Sequence, residues 1–203
     1  MTPAAQEQAD RELFDALRAY VRSHPDPAID SFRSAMEDWG ERYAAVAPHP
    51  LPVAQTILDA AHRPDAHPLV GLFAEHWESR KWEQSYKKSD GFVGDDMLAG
   101  YGFAEIVGKW GPFVSEVIRS GVGAWGPGIV YPLHRHQANE IYILLAGSAE
   151  FTVGDTPPRQ LSAGAVVPVP PQAIHGFRTH DEPAVVFYLW QNGDLRETSR
   201  FDV

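Results

Sequence analysis

Residues 128–147 read GIVYPLHRHQANEIYILLAG and contain two histidines, one glutamate and two tyrosines. Four of these side chains fall at even positions, which places them on one face of an extended strand. They are His134, His136, Glu140 and Tyr142. Imidazole nitrogens and a carboxylate that converge from one face suit a divalent transition metal. With His175 downstream in another strand-like stretch, the pattern predicts a mononuclear metal site inside a small β-barrel.

The composition limits the possible classes of protein. A chain of 203 residues that is 44% hydrophobic suits one domain, or one domain with an accessory segment. The net charge of −10 argues against nucleic acid and against an anionic membrane surface as partners. Cysteine is absent from the sequence, which excludes disulfides and thiolate ligands. No secretory signal or membrane-length apolar stretch is visible, so we expect a cytoplasmic protein.

The periodicity of the sequence changes near residue 100. Before it, apolar residues recur at three- and four-residue spacing between prolines, which predicts helices over 7–23, 29–46, 53–61 and 68–86. After it, short alternating runs predict strands over 103–107, 114–122, 128–133, 140–146, 149–153, 159–161, 165–169, 174–179 and 185–189. Gly147-Ser148 and Gly154-Asp155 are typical of hairpin turns. The pattern predicts an antiparallel barrel or sandwich behind a helical segment.

The spacing of the opening stretch resembles the first signature of the cupin superfamily at its fixed positions, Gly128, His134, His136, Glu140 and Gly147. The second cupin signature is matched at Gly164, Pro170 and His175, but Gln172 and Thr179 replace its usual glycine and asparagine. The resemblance covers the C-terminal half. It implies a mainly β fold with a single cupin, an antiparallel double-stranded β-helix or jelly-roll barrel, at residues 101–203. A helical segment at residues 1–100 would pack on the barrel.

Two tyrosines narrow the resemblance. Tyr142 lies two residues beyond Glu140 on the same face, and Tyr131 lies three residues before His134. The pattern Tyr-Pro-x-His-x-His-x-x-x-Glu-x-Tyr, behind a helical segment, resembles the cupin lyases that cleave dimethylsulfoniopropionate (DMSP), and among them the DddQ-like group. The resemblance implies a carbon–sulfur lyase that converts DMSP to dimethyl sulfide and acrylate.

The resemblance also implies a set of metal ligands. They are His136, Glu140, Tyr142 and His175, with His134 at or beside the metal. The metal would be one divalent transition ion, and zinc, iron, manganese, nickel and cobalt all accept such ligands. Cupins commonly dimerise, so a homodimer is one expectation.

Cleavage of DMSP is a β-elimination, and it requires a base that removes the proton beside the carboxylate. Tyr142 is the first candidate base and Tyr131 the second, since a nearby cation can lower the pKa of a phenol. His134 would relay the proton or hold a tyrosine. Aromatic faces would receive the sulfonium, and the candidates are Tyr131, Tyr188 and Trp190, followed by Trp125 and Trp110.

Two other functions remain open from the sequence. An iron-dependent cupin dioxygenase would use the same histidines and glutamate. A non-catalytic cupin would bind a small carboxylated or sugar ligand. Neither of them requires a phenolate, so Tyr131 and Tyr142 favour the lyase. DMSP itself could be a secondary substrate, with another β-substituted carboxylate as the primary one.

Overall fold

The computed structural model describes residues 1–40, 42–197 and 200–201. Its α-helices are α1 (Pro3–Ser23), α2 (Asp30–Ser34), α3 (Ala54–Ala60), α4 (Pro68–Ala74) and α5 (Asp95–Gly100). Short 3-10 helices cover Pro27–Ile29, Ala35–Asp38, Trp77–Ser79 and Lys88–Asp90. Among the described helices, none combines the length and the apolarity that crossing a membrane requires.

The strands begin with β1 (Trp82–Glu83), β2 (Tyr101–Gly108), β3 (Phe113–Val114), β4 (Ile118–Trp125), β5 (Val130–Arg135) and β6 (Asn139–Val153). They continue with β7 (Arg159–Ser162), β8 (Val166–Val169), β9 (His175–Arg178), β10 (Ala184–Gln191) and β11 (Arg200–Phe201). The main path of the sheet runs β1-β2-β4-β10-β6-β9-β5-β11, with β3 on β2 and both β7 and β8 on β6. All pairs are antiparallel except β2 with β3. This curled, mainly β sheet is the single cupin that the sequence predicts; α1–α4 precede it, and its short edge strand β1 lies between α4 and α5 in the chain.

Strand β6 joins the two sides of the barrel. Its first half pairs with β8 and β10, and its second half pairs with β7 and β9. The predicted hairpin at Gly147-Ser148 is therefore wrong, because the strand continues through it. Gly147 has a φ of 72°, and the register with β10 shifts between Val185 and Val186, so the chain bends without turning back. The turn predicted at Gly154-Asp155 is confirmed.

The two faces of β6 serve different cores. Ile141, Ile143 and Leu145 belong to a cluster of buried side chains that also includes the buried side chains of the helices. Tyr142 and Leu144 belong to a second cluster inside the barrel. The odd and even positions thus point to opposite faces, as the alternation predicts.

Helix α1 begins earlier than predicted because its N-terminus is capped. The Thr2 side chain accepts a hydrogen bond from the Ala5 N–H at 3.2 Å, and Pro3 occupies the first turn. The helix buries Leu13, Phe14, Leu17 and Val21 in the same cluster as the odd-numbered side chains of β6. The ring of Phe14 stacks on Phe113, with 4.1 Å between the centroids.

Two of the predicted helices are shorter than expected. The helix predicted over 29–46 stops within the 3-10 turn Ala35–Asp38, because Gly40 adopts a left-handed φ of 77° against the backbone of Val114. The helix predicted over 68–86 ends at Ala74. The chain beyond it supplies β1, whose Trp82 is fully buried and pairs with Ala104 at the edge of β2. Helix α3 is confirmed within the predicted range 53–61.

The strand predicted over 114–122 is divided into β3 and β4. The Ser115 hydroxyl accepts hydrogen bonds from the N–H groups of Val117 and Ile118, each at 3.3 Å, and this turn interrupts the strand. The runs predicted over 140–146 and 149–153 form the single strand β6. The other predicted strands are present with small shifts of their ends.

Two glycines test the role of the bend in β6. A Cβ on Gly147 would lie 1.8 Å from the carbonyl oxygen of Pro183, whereas a Cβ on Gly154 would meet nothing within 4 Å. Gly154→Ala should cost about 1–2 kcal/mol, since only its left-handed φ is strained. Gly147→Ala should cost about 2 kcal/mol more, because the backbone must also move. Urea unfolding of both variants measures the difference, and equal losses would contradict the close approach of β6 to Pro183.

Candidate metal centre

The three predicted histidines and the glutamate come together inside the barrel. His134 lies near the end of β5, His136 follows that strand, Glu140 lies on β6 and His175 begins β9. Each of the four is only 1% exposed. His134 and His175 are direct partners across β5 and β9, and one ring nitrogen of each histidine lies within 4.8 Å of the others. The barrel therefore assembles the cluster that the spacing predicts.

Backbone carbonyls determine which nitrogen of each imidazole carries the proton. The Nδ1 atoms of His134, His136 and His175 lie 2.8, 3.1 and 2.9 Å from the carbonyl oxygens of Pro132, Ala138 and Ala173. A carbonyl only accepts hydrogen bonds, so each Nδ1 is the donor. Each neutral ring then presents an unprotonated Nε2 to the centre, which is the usual arrangement of histidines that bind metals.

The electron pairs that converge at the centre require a cation. The Nε2 atoms of His136 and His175 lie 2.9 and 3.2 Å from Oε2 of Glu140. The Nε2 of His175 is also a buried polar atom with no hydrogen-bond partner among the described residues. Lone pairs this close repel one another in a buried site unless a positive charge lies between them. Three nitrogens and one carboxylate oxygen fit a divalent transition metal.

Trp190 orients the glutamate from the neighbouring strand β10. Its indole Nε1–H donates to Oε1 of Glu140, so Oε2 is left toward the histidines. The Trp190 ring also packs on His136, with 4.0 Å between the ring centroids. Because Trp190 and Glu140 are direct partners in the β6–β10 register, the sheet itself holds this contact.

The charge states of the cluster suit metal binding. Burial raises the pKa of the Glu140 carboxyl, but donated hydrogen bonds and positive charge at His136 and His175 lower it by more, so the pKa lies well below its ordinary value. A metal ion bound by the unprotonated Nε2 atoms would supply that positive charge in place of the protons. Burial and the neighbouring His175 lower the pKa of His134 to about 3. A carboxylate and a neutral imidazole are the forms that ligate metals, and these shifts favour them at Glu140 and His134.

A cavity of about 210 Å³ opens beside the cluster. Its wall includes His134 and Glu140 together with the predicted residues Tyr131, Tyr142, Tyr188, Trp190, Trp125 and Trp110. The Tyr142 ring lies 6.1 Å from the ring of His175, and the Tyr131 ring lies 5.2 Å from that of His134. Both tyrosines thus face the same space as the glutamate.

Both tyrosines are neutral phenols in this environment. Burial raises the pKa of Tyr142 well above 10, and the charge of Glu140 raises it further. Burial also raises the pKa of Tyr131, although hydrogen bonds with Ser85 and Tyr86 lower it in part. The Tyr131 hydroxyl lies 3.5 Å from that of Ser85. A phenolate at either position requires a nearby positive charge.

Gln172 and Thr179, the two departures from the second cupin signature, both hydrogen-bond to backbone near the ligands. Gln172 adopts a φ of 63°, the left-handed conformation that glycine accepts most easily, and its N–H donates to the His136 carbonyl at 2.8 Å. The Thr179 hydroxyl donates to the carbonyl of Gly126 at 2.6 Å and accepts from the N–H of Ile129 at 2.9 Å. Both residues therefore support the loops around the ligands.

The sequence reasoning missed part of the cavity wall. Gln84 and Ser85 reach it from the segment after β1, and Phe103 and Arg119 reach it from β2 and β4. Arg119 could have been recognised from the sequence, since a charged residue within a run of apolar and small residues indicates a buried charge. The segment around Ser85 could not have been recognised, because it reaches the cavity only through the pairing of β1 with β2.

Comparisons with known proteins identify the family of the chain. The profile of the dimethylsulfoniopropionate lyase family matches residues 21–186. The DMSP lyase DddQ of Ruegeria pomeroyi is 37% identical over 144 residues, which span 71% of this chain and 67% of that protein. A crystal structure of DddQ from R. pomeroyi DSS-3 superposes with a TM-score of 0.82 and 28% identity over 96% of each chain.

A further solved structure, from a study of the DMSP lyases RdDddP and RnDddQII, has a TM-score of 0.80 and 27% identity. The match covers 98% of this chain and 100% of that one. The sequence profile, the relative at 37% identity and the superposed structures agree with the resemblance found in the tyrosine and histidine pattern. The chain belongs to the dimethylsulfoniopropionate lyase family.

Proposed function

We propose that this chain is a metal-dependent lyase that cleaves DMSP to dimethyl sulfide and acrylate. The observation that carries the proposal is the single cavity lined by Glu140, His134 and the two tyrosines. The DMSP lyases among its relatives support the substrate. An iron-dependent dioxygenase could use the same histidines and glutamate, but the family match favours the lyase.

The metal would be held by His136, Glu140, Tyr142 and His175, with His134 at or beside it. Support for this set comes from the buried, unprotonated Nε2 atoms and from Oε2 of Glu140, which all point to one centre. When bound, a divalent zinc, iron, manganese, nickel or cobalt ion would stabilise negative charge on the substrate carboxylate and on a nearby phenolate.

The proposed reaction is a β-elimination. A base takes the proton from the carbon beside the carboxylate, and the electrons of that C–H bond form the new carbon–carbon double bond. The bond between the β-carbon and sulfur breaks, and its electron pair leaves with sulfur as neutral dimethyl sulfide. The products are acrylate, dimethyl sulfide and the proton held by the base, so the leaving group needs no acid.

Tyr142 is the proposed base, and Tyr131 is the alternative or supporting base. Both are buried and both line the cavity, so their hydroxyls are shielded from bulk water. Tyr142 is nearer to the ligands in sequence, two residues after Glu140 on the same face of β6. His134 contacts Tyr131 edge to face, which suits a role in holding that ring or relaying its proton.

The aromatic wall suits a sulfonium cation. Tyr131, Tyr188 and Trp190 line the cavity, and the face of an aromatic ring attracts a cation that lacks hydrogen-bond donors. We assign these residues to substrate binding.

Turnover of DMSP tests the function directly. Protein loaded separately with manganese, iron, cobalt, nickel or zinc is incubated with DMSP, and headspace dimethyl sulfide and dissolved acrylate are measured together. We expect both products in equal amounts with at least one metal. Chelation should abolish turnover and addition of that metal should restore it. Failure to form product with every one of these ions would refute the lyase assignment.

Removal of the two hydroxyls tests the base. Tyr142→Phe should lower kcat by about 100-fold or more, because a positioned base contributes 10²–10⁴-fold. Tyr131→Phe should lower it less if it only supports the base. Tyr20→Phe is the matched control, since Tyr20 packs on His67 and on Phe187 of β10 and lies outside the cavity wall. Full turnover in both cavity variants would exclude a phenolate base while leaving the lyase assignment intact.

A further inference from the structure

Arg119 is a cation in the wall of the proposed substrate cavity. It lies on β4, and its side chain is only 13% exposed. Its guanidinium carbon lies 5.0 Å from the ring centre of Trp190, 5.1 Å from that of Trp110 and 5.8 Å from that of Phe103. Arg119 and Trp190 are direct partners in the register of β4 and β10. The arginine is therefore one strand away from the residue that orients Glu140.

Glu105 holds this arginine from behind the cavity wall. Its Oε2 accepts a hydrogen bond from Nε of Arg119 at 2.7 Å. Its Oε1 accepts the N–H groups of Trp110 and Gly111 at 2.7 and 3.0 Å. Glu105 is 4% exposed and is not part of the cavity wall, so its charge is used in these three hydrogen bonds. These three hydrogen bonds fix the Glu105 carboxylate and so hold the guanidinium rigidly in place.

The terminal nitrogens of the Arg119 guanidinium are not used by Glu105. The N–H groups of its two terminal nitrogens make no hydrogen bond with the described part of the chain, whereas Nε is used by Glu105. The Tyr188 hydroxyl, in the same cavity wall, is likewise a buried polar atom without a partner among the described residues. A Cβ on Gly121 would lie 2.8 Å from that hydroxyl, so the glycine leaves room for it. A buried hydroxyl without a partner, such as that of Tyr188, is costly unless a ligand forms a hydrogen bond with it.

We propose that Arg119 and Tyr188 form the subsite that binds the carboxylate of the substrate. A planar guanidinium with free N–H groups recognises a carboxylate, and a phenol adds a further hydrogen bond. The proposal rests on the proposed function, in that DMSP carries a carboxylate at one end and a cation at the other. A carboxylate has two oxygens, so contact with Arg119 leaves the second oxygen available toward the metal centre.

The positive charge of Arg119 also determines where the sulfonium lies. Arg119 repels a second cation, so the sulfonium is excluded from the rings that surround the guanidinium. Trp125 and Tyr131 line the cavity as well, and their rings meet edge to face with 5.2 Å between the centroids. Of the three aromatic residues assigned above to substrate binding, Tyr131 then receives the sulfonium together with Trp125, Tyr188 contributes its hydroxyl to the carboxylate subsite, and Trp190 packs on the guanidinium. The substrate is thereby bound in one direction.

Propionate and its neutral analogue propionamide test the subsite without turnover. Each is titrated into ¹⁵N-labelled protein, as purified and after chelation of metal, and the indole N–H signals are followed by NMR. We expect propionate to bind in both preparations and propionamide to bind at least about tenfold more weakly, since a hydrogen bond to a charged group is worth 1.5–3 kcal/mol. Equal binding of the two compounds would overturn the proposal and requires no variant.

Variants then assign the binding to the named residues. Arg119→Gln should raise the Kd of propionate about tenfold or more, and Tyr188→Phe, which removes only an unpartnered hydroxyl, should raise it about threefold. Lys109→Gln is the matched control: Lys109 is an exposed cation 5.6 Å from the ring centre of Trp110 but lies outside this cavity wall, and its removal should leave Kd unchanged. An unchanged Kd in both Arg119→Gln and Tyr188→Phe would overturn the proposal.

DMSP turnover separates this subsite from the proposed function. In Arg119→Gln, KM for DMSP should rise while bound metal stays as in the wild type. If the wild type cleaves DMSP but its propionate binding does not depend on Arg119, the subsite is wrong and the lyase stands. If propionate binding depends on Arg119 but DMSP is not cleaved with any metal, the function is wrong and the carboxylate subsite stands.

Discussion

The buried carboxylate of Glu140 is the constraint on which the rest of this structure depends. An ionised carboxylate in a protein interior costs several kcal/mol, roughly, unless its charge and its lone pairs are compensated. One oxygen is compensated by the indole N–H of Trp190, and the other faces the Nε2 atoms of His136 and His175. Those nitrogens are acceptors because their Nδ1 atoms are used by backbone carbonyls. The arrangement is compensated fully only when a cation joins it.

The barrel provides this geometry through the register of its strands. Glu140 on β6 lies opposite Trp190 on β10, and Trp190 lies opposite Arg119 on β4. One row across three strands therefore contains the carboxylate, the indole that orients it and the arginine of the proposed carboxylate subsite. The next inward row contains Tyr142 and Tyr188, which are also direct partners. The proposed chemistry and the proposed recognition thus depend on one register.

The cupin spacing was sufficient to find the ligand cluster, whereas the alternation within one strand does not explain it. His134 lies on β5, His136 follows that strand and Glu140 lies on β6, and the spacing also identified His175 on β9. The bend at Gly147 could not be predicted in this way, because a positive φ suits a hairpin as well as a bulge, and the choice depends on Pro183 across the sheet. The long second and fourth helices failed for a similar reason, since Gly40 and Trp82 take their conformations from contacts with the sheet.

Location of a metal by anomalous diffraction is the most direct test of the central claim. Crystals soaked with manganese or zinc should show one anomalous peak at about 2.0–2.2 Å from Nε2 of His136, Nε2 of His175 and Oε2 of Glu140. Crystals of Glu140→Gln, which keeps the shape of the side chain but removes its charge, should show that peak at lower occupancy. A wild-type crystal with no peak between these atoms, or with its metal at another site, would contradict the account.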